Sequence, residues 1–206
     1  MSVRVAGSLW SVATGELSAE ADRLAAAGLS VWHWDRADGS FGPAGGFSSE
    51  TARELTRRTG LAAEAHLMLA DPLPEIEEWA AFCEVIVVHA ESRVWREAHD
   101  RIRKWGVRPG LAISPTDEVP SDLGADVAVL VMTVAPGEAG SGFLEHRLPL
   151  LGAVSALPLR GVDGSVDAER GMRALSRGAN WLVSGTALTR APDPDAWLRT
   201  VRDGRP

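Results

Sequence analysis

Short apolar runs alternate with longer segments of helical spacing from one end of the chain to the other. The runs are dense in Val, Ile, Leu and Ala, as in strands that are buried on both faces of a parallel sheet. The segments between them carry apolar residues every three or four positions, and several end at a glycine, as helices do. The runs predict eight strands, at residues 3–9, 29–35, 61–67, 84–89, 108–113, 125–134, 157–162 and 179–184.

The segments between the strands predict helices of unequal quality. They lie at residues 16–27, 48–59, 74–82, 94–105, 143–156, 166–177 and 193–202. Residues 116–124 contain Pro120 and can hold little more than a turn, and Pro149 interrupts the segment 143–156. Eight strand–helix units in about 200 residues, without a linker, predict one closed (β/α)8 barrel, a TIM barrel, over residues 1–206. An open, doubly wound sheet is the alternative, but residues 7–11 lack its glycine-rich fingerprint.

Composition and charge narrow the classes of partner and location. Hydrophobic residues make up 45% and charged residues 24% of the chain, which is typical of a soluble globular protein. The net charge of −7 and the lack of a long basic run argue against nucleic acid as a partner. No run of about 18 apolar residues could span a membrane. The single Cys83 excludes an internal disulfide and the N-terminus lacks a signal-peptide pattern, so we expect a cytoplasmic protein.

The second predicted strand carries the most informative pattern in the chain. Side chains alternate between the two faces of a strand, so His33 and Asp35 share one face and Trp32 and Trp34 share the other. In a (β/α)8 barrel the residues that carry chemistry lie at the C-terminal ends of the strands. The pattern therefore predicts an imidazole and a carboxylate at the catalytic end of the barrel.

Several other predicted strands end in residues that can carry chemistry. They are Ser8 and Ser11, His66, His89 and Glu91, Met132 and Thr133, Asp163, and Ser184. Any one histidine at a strand end is more often structural than functional. As a set, however, His33, Asp35, His66 and Asp163 would converge on one point and suit a divalent ion such as zinc, iron, manganese or cobalt. Two carboxylates on such an ion would suit proton abstraction beside a carbonyl group.

Glycine-containing turns follow the seventh and eighth predicted strands. They are Gly164–Ser165 and Gly185–Thr186, and backbone N–H groups at these two positions of a barrel commonly bind phosphate. Each turn alone is a weak signal, but the first one follows Asp163 directly. The two remaining histidines, His99 and His146, fall on predicted helices or near loops and are interpreted as surface residues.

Seven motifs at predicted strand ends follow one another in a fixed order. In this sequence they read Ala-Gly-Ser-Leu-Trp-Ser at 6–11, His-Trp-Asp-Arg-Ala-Asp-Gly-Ser-Phe at 33–41, Ala-His-Leu-Met at 65–68, Val-His-Ala-Glu at 88–91, Val-Met-Thr-Val-Ala-Pro-Gly at 131–137, Val-Asp-Gly-Ser-Val at 162–166 and Val-Ser-Gly-Thr-Ala at 183–187. Together they resemble the ribulose-phosphate 3-epimerase family of (β/α)8 barrels, from residue 3 to about residue 190. Seven motifs in the right order are far more specific than any one of them.

The resemblance implies a metal-dependent 3-epimerase of a ketose phosphate, of the ribulose 5-phosphate/xylulose 5-phosphate type. His33, Asp35, His66 and Asp163 match the ligands of one divalent ion, for which zinc is the first choice. Asp35 and Asp163 also match the two acid/base groups that move a proton at C3 through an enediolate. The positions that match substrate-binding residues are Ser8, His66, Met132, Gly137, Gly140, Gly164, Ser165, Gly185 and Thr186. A sugar phosphate substrate and a homo-oligomeric assembly are expected.

The chain departs from the family pattern at several loop positions. Ala37 replaces a Met over the active site and Ala135 replaces an Asn. Glu138 stands in the loop expected over the phosphate, where a carboxylate is unfavourable unless it turns outward or pairs with a cation. These changes leave two alternatives open. One is an epimerase or isomerase of a different sugar or sugar phosphate, and the other is a catalytically inactive, ligand-binding barrel.

Overall fold

The computed structural model of the chain describes residues 3–134 and 142–204. Its strands are β1 (Arg4–Ser8), β2 (Val31–Ala37), β3 (Gly45–Gly46), β4 (Ala62–Met68), β5 (Val85–His89), β6 (Arg108–Ile113), β7 (Ala128–Met132), β8 (Leu159–Asp163) and β9 (Trp181–Ser184). They form one sheet in the order β1-β9-β8-β7-β6-β5-β4-β2-β3, and β1 also pairs with β2. All strands except β3 are parallel to their neighbours, so eight of them close into the predicted (β/α)8 barrel.

Helices cover the outside of the barrel. They are α1 (Leu17–Ala26), α2 (Ser49–Thr59), α3 (Ile76–Ala80), α4 (Trp95–Lys104), α5 (Leu150–Ala153), α6 (Ala168–Ser176), α7 (Thr186–Thr189) and α8 (Pro194–Asp203), with 3-10 turns at Thr14–Glu16 and Glu145–Arg147. Side chains cap three of them, because Ser48, Asp167 and Asp193 each accept a hydrogen bond from a backbone N–H of the first turn. Among the residues described, no helix combines the length and apolarity needed to cross a bilayer.

Among the residues that the structure describes, the helical cover between β6 and β8 is thin. Residues 114–127 form turns, as the position of Pro120 predicted. The predicted helix at 143–156 is reduced to one 3-10 turn and the four residues of α5, which begins directly after Pro149. A proline ring cannot continue a preceding helix, so the chain restarts there.

A two-residue strand, β3, lies against the end of β2 and was not predicted. Phe47 N donates to Asp35 O at 2.9 Å, and Gly45–Gly46 pair antiparallel with β2. Gly46 has a φ of 89°, and a Cβ there would lie 2.9 Å from the Trp10 ring. Only glycine lets the chain approach so closely. This contact holds the C-terminal end of β2, and Asp35 with it, in place.

The alternation predicted for β2 is present in the structure. Trp32 and Trp34 are buried between the sheet and α2, where their indole N–H groups donate to Thr59 and Thr56 at 2.8 and 3.0 Å. His33 and Asp35 point into the barrel. One prediction on the helices is wrong: His99 is not a surface residue but lies buried on α4 against Trp95.

Candidate active site

Four predicted side chains meet inside the C-terminal end of the barrel. His33 and Asp35 project from β2, His66 from β4 and Asp163 from the end of β8. One donor atom from each lies within 4.8 Å of the others. The register of the β2–β4 pair brings Asp35 and His66 together, because the two residues lie directly opposite each other. Closure of the barrel brings Asp163 to the same point from the other side.

The spacing of the donor atoms fits a first-row divalent cation. Asp35 Oδ1 lies 3.3 Å from His33 Nε2 and 3.1 Å from His66 Nδ1, and Asp163 Oδ2 lies 3.8 and 3.4 Å from the same nitrogens. Ligands about 2.1 Å from a tetrahedral zinc ion lie about 3.4 Å from one another. Within the described residues, His33 Nε2 is also buried without a hydrogen bond. A buried nitrogen of this kind is normally paired, so its position favours a role as a ligand.

A chain of hydrogen bonds orients His66. Its Nε2 lies 2.9 Å from His89 Nε2, and His89 Nδ1 lies 2.8 Å from Glu91 Oε2. A carboxylate only accepts, so His89 Nδ1 carries a proton and His89 Nε2 accepts one from His66. In the neutral ring this leaves the lone pair of His66 on Nδ1, toward the four-residue cluster, where a proton would otherwise be shared with Asp35 Oδ1 at 3.1 Å. The sequence marked His89 and Glu91 as strand-end residues but assigned them no role.

The charges of the cluster perturb one another strongly. Burial disfavours a charged imidazole, but Asp35 and Asp163 outweigh it and raise the pKa of both His33 and His66. Burial likewise acts to raise the pKa of Asp35, yet the two imidazoles hold it below its ordinary value. Burial, reinforced by the neighbouring His66, lowers the pKa of His89 despite its contact with Glu91. Protons and a divalent cation would thus compete for the same two nitrogens.

A cavity of about 330 Å³ opens over the cluster. Its lining includes the following predicted substrate-binding residues: Ser8, His66, Met132, Gly164, Ser165, Gly185 and Thr186. Ser8 Oγ donates to Asp35 Oδ2 at 2.7 Å, which orients that carboxylate toward the cavity. Gly137 and Gly140, like Ala135 and Glu138, lie outside the described residues. Met68 also lines the cavity and, with Met132, forms an apolar wall that was only partly predicted.

The loops after β8 and β9 form the end of the cavity away from the cluster. Gly164 has a φ of 113°, and a Cβ there would lie 2.4 Å from Val134 Cγ2. Ser165 has a φ of 53°, and no other described non-glycine residue has a positive φ. Backbone in this region is strained for a residue with a side chain, and such strain is concentrated at ligand sites.

Two arginines that the sequence did not mark border the same end. Arg170 Nη1 donates to Ser165 O at 2.9 Å, and its Nε lies 3.5 Å from Asp167 Oδ2. Arg190 follows α7 and has no carboxylate within ion-pair distance in the described part of the chain. Arginines are common on the surfaces of helices, so no signal in the sequence distinguished these two.

Comparison with known proteins identifies the family. The model of the ribulose-phosphate 3-epimerase family matches residues 4–189. The chain belongs to this family. The cytoplasmic isoform of ribulose-phosphate 3-epimerase from Oryza sativa subsp. japonica is 31% identical over 212 residues, which cover 97% of this chain and 92% of that protein. The enzyme from Treponema pallidum is 34% identical over 184 residues, covering 80% and 81%.

Family membership confirms the resemblance and the expected enzyme class, an isomerase that acts on carbohydrates. Solved structures support the fold alone. 3-Hexulose-6-phosphate synthase from Salmonella typhimurium has a TM-score of 0.76 at 14% identity, with 98% of this chain and 97% of that chain covered. Orotidine 5'-phosphate decarboxylase from Pyrococcus horikoshii has a TM-score of 0.66 at 16% identity, with 97% and 98% covered.

Proposed function

We propose that the chain is a metal-dependent 3-epimerase of a ketose phosphate, with ribulose 5-phosphate and xylulose 5-phosphate as its substrate pair. One observation carries the proposal: His33, Asp35, His66 and Asp163 converge beneath a cavity whose far end is built from glycine turns and arginines. This arrangement offers a cation and two carboxylates to one end of a substrate and N–H donors to the other. Family membership supports the same reaction.

The metal would be one divalent ion, with zinc as the first choice. His33 would bind it through Nε2 and His66 through Nδ1, and Asp35 and Asp163 would each supply a carboxylate oxygen. The chemistry that such a cation supplies is stabilisation of negative charge on neighbouring substrate oxygens. The donor set alone does not select zinc over iron, manganese or cobalt, because imidazole and carboxylate accept all four.

Asp35 and Asp163 would carry the protons. They come from strands on different sides of the cluster, so each can face the substrate from its own side. One carboxylate removes the proton from C3, and the electrons of that C–H bond pass to the C2 carbonyl to give an enediolate. The other aspartic acid then protonates C3 from the opposite face, which inverts its configuration. Ser8 keeps the Asp35 carboxylate directed at the cavity through its hydrogen bond.

The far end of the cavity would bind the phosphate. Backbone N–H groups of the two turns would be the neutral donors, and Arg170 and Arg190 would add positive charge. Asp167 also lines this end, where it caps α6 and pairs with Arg170. This pair offsets part of the Arg170 charge, so Arg190 supplies the excess positive charge. Gly137 and Gly140 stay predictions, as do a homo-oligomeric assembly and a cytoplasmic location.

Solvent deuterium exchange at C3, followed by NMR, tests the proposal. The zinc-loaded protein should exchange C3 of ribulose 5-phosphate, and D35N and D163N should each lose this exchange by about 10²–10⁴-fold. D126N changes an exposed carboxylate that pairs with Arg103 near the surface, so it is the matched control and should keep full exchange. Exchange confined to another ketose would establish the first alternative. If no ketose phosphate exchanges, the reaction is refuted and a ligand-binding barrel is left.

A further inference from the structure

A buried carboxylate lies directly beneath the metal site and has no part in the proton transfers. Glu64 projects from β4 and is 0% exposed. Its Oε1 accepts from His33 Nδ1 at 2.8 Å and from Trp181 Nε1 at 2.9 Å, and its Oε2 accepts from Arg4 Nε at 2.8 Å. Burying a carboxylate is unfavourable unless its oxygens are well paired. Here three donors from three strands are directed at it.

The contact with His33 decides which nitrogen of that ring carries the proton. A carboxylate only accepts hydrogen bonds, so His33 Nδ1 is the donor, and in the neutral ring Nε2 is left with the lone pair. This Nε2 is the buried nitrogen that has no hydrogen bond among the described residues, and it lies 3.3 Å from Asp35 Oδ1. We propose that Glu64 is a positioning residue that fixes His33 as a metal ligand through Nε2, and that Trp181 and Arg4 hold the Glu64 carboxylate in place. The inference rests on the metal site of the proposed function.

The packing inside the barrel is arranged around this contact. Most of the apolar side chains there are Val, Ala and Leu, yet one is the large indole of Trp181. Gly161 on β8 makes room for it, because a Cβ there would lie 2.8 Å from Trp181 Cβ and 2.9 Å from its ring. The indole N–H spans the interior to Glu64. Arg4 reaches Glu64 from the start of β1, and it also lies 3.3 Å from the exposed Glu84.

The other histidine of the site has a separate support. His66 is oriented through His89 and Glu91, whereas the hydrogen bonds of Glu64 among the described residues come from Arg4, His33 and Trp181. The two imidazoles are thus fixed by two independent carboxylates. A substitution at Glu64 should therefore alter the tautomer of His33 and leave the tautomer of His66 unchanged.

The substitution E64Q tests the inference because an amide cannot satisfy all three donors. With its oxygen toward His33, its NH2 group faces the guanidinium of Arg4. In the other orientation the NH2 group faces His33 Nδ1 and favours the Nε2–H tautomer, which cannot bind a metal through Nε2. We expect the zinc dissociation constant, measured by competition with a chromophoric chelator, to rise 10–100-fold. In 15N-histidine spectra of the metal-free protein, recorded at alkaline pH where both imidazoles are neutral, the signals of His33 should shift toward Nε2–H, whereas those of His66 should not.

E84Q is the matched control, because it makes the same change on the exposed side of Arg4. It should bind zinc within about twofold of the wild type, as expected for a surface pair. A folded E64Q protein with wild-type zinc affinity and an unchanged His33 tautomer would overturn the inference. If E64Q does not fold, W181F carries the test: it removes one donor to Oε1 and should weaken zinc binding about 2–10-fold, so unchanged affinity would refute the role. A wild-type protein that binds no zinc refutes the metal site of the proposed function itself, which separates the two failures.

Discussion

Acid should destabilise the fold through one buried histidine that is remote from the active site. His99 lies on α4, is 2% exposed and approaches Gly110 O with its Nε2 at 3.0 Å. Burial, reinforced by the nearby Arg103, lowers the pKa of His99 to about 4. The pKa of a histidine in an unfolded chain is about 6.5. The unfolded chain therefore takes up a proton, between pH 6.5 and 4, that folded His99 does not.

The sign and size of the effect follow from proton linkage. The stability contributed by neutral His99 is fully present above pH 6.5 and is lost as the pH falls through this window toward 4. Each unit of pKa difference corresponds to about 1.4 kcal/mol. The loss is about 2 kcal/mol at pH 5 and about 3 kcal/mol at pH 4. For a chain of this length, 2 kcal/mol lowers the Tm by about 4–8 °C.

Calorimetric melting at pH 7.5 and pH 5.0 measures this loss. In H99Q an amide that does not titrate can still donate to Gly110 O, so the fall in Tm between the two pH values should be about 4–8 °C smaller than in the wild type. H146Q removes an exposed histidine and should behave as the wild type does. His33, His66 and His89 are present in both proteins. Their contribution therefore cancels when the pH-dependent fall in Tm of H99Q is compared with that of the wild type. An equal fall in H99Q and the wild type would show that His99 does not carry the effect.

Three further outcomes are expected. R190Q should raise KM for ribulose 5-phosphate about 10–100-fold and leave turnover of unphosphorylated ribulose unchanged. The control R177Q, at the far end of α6, should alter neither value, and an equal loss of activity on both sugars in R190Q would argue against a phosphate contact. Zinc at 100 times its dissociation constant should stabilise metal-free protein by about 2.7 kcal/mol, which raises the Tm by about 5–11 °C. This gain in Tm should shrink as acid protonates His33 and His66, and a gain independent of pH would contradict competition between protons and zinc. G46A should lower the free energy of unfolding in urea more than G60A does. Both glycines have a positive φ, but of the two only a Cβ at Gly46 would meet backbone atoms, so equal losses would mean that β3 moves away from β2 at little cost.

The parts of the site that the sequence predicted are those that local periodicity encodes. In β2 the alternation of Trp32 and Trp34 with His33 and Asp35 assigns one pair to the helical layer and the other to the barrel interior. The position of each strand end then follows from the turn residues after it. Barrel closure, which a repeat of eight strand–helix units implies, does the rest.

Contacts that no local pattern encodes were missed. Glu64 is 60 residues from Arg4 and 117 residues from Trp181, and a lone glutamate in a strand carries no sign of these partners. β3 was missed because two glycines have no side chains from which alternation could be read. His99 was misassigned although its signal was present: with Trp95 and Ile102 it lies at helical spacing on the buried face of α4.

The thin outer layer between β6 and β8 divides the barrel into two parts of unequal resistance to opening. β2 is followed by the eleven-residue α2, which also precedes β4, whereas the described residues on either side of β7 form turns, one 3-10 turn and the four-residue α5. Fewer packed neighbours lower the free energy of local opening, so amide hydrogens of β7 and β8 should exchange with solvent sooner than those of β2 and β4. Three of the four ligands lie in the resistant part, and Asp163 lies in the other. A bound cation would therefore tie the two parts together, and zinc should slow amide exchange in β8 more than in β2.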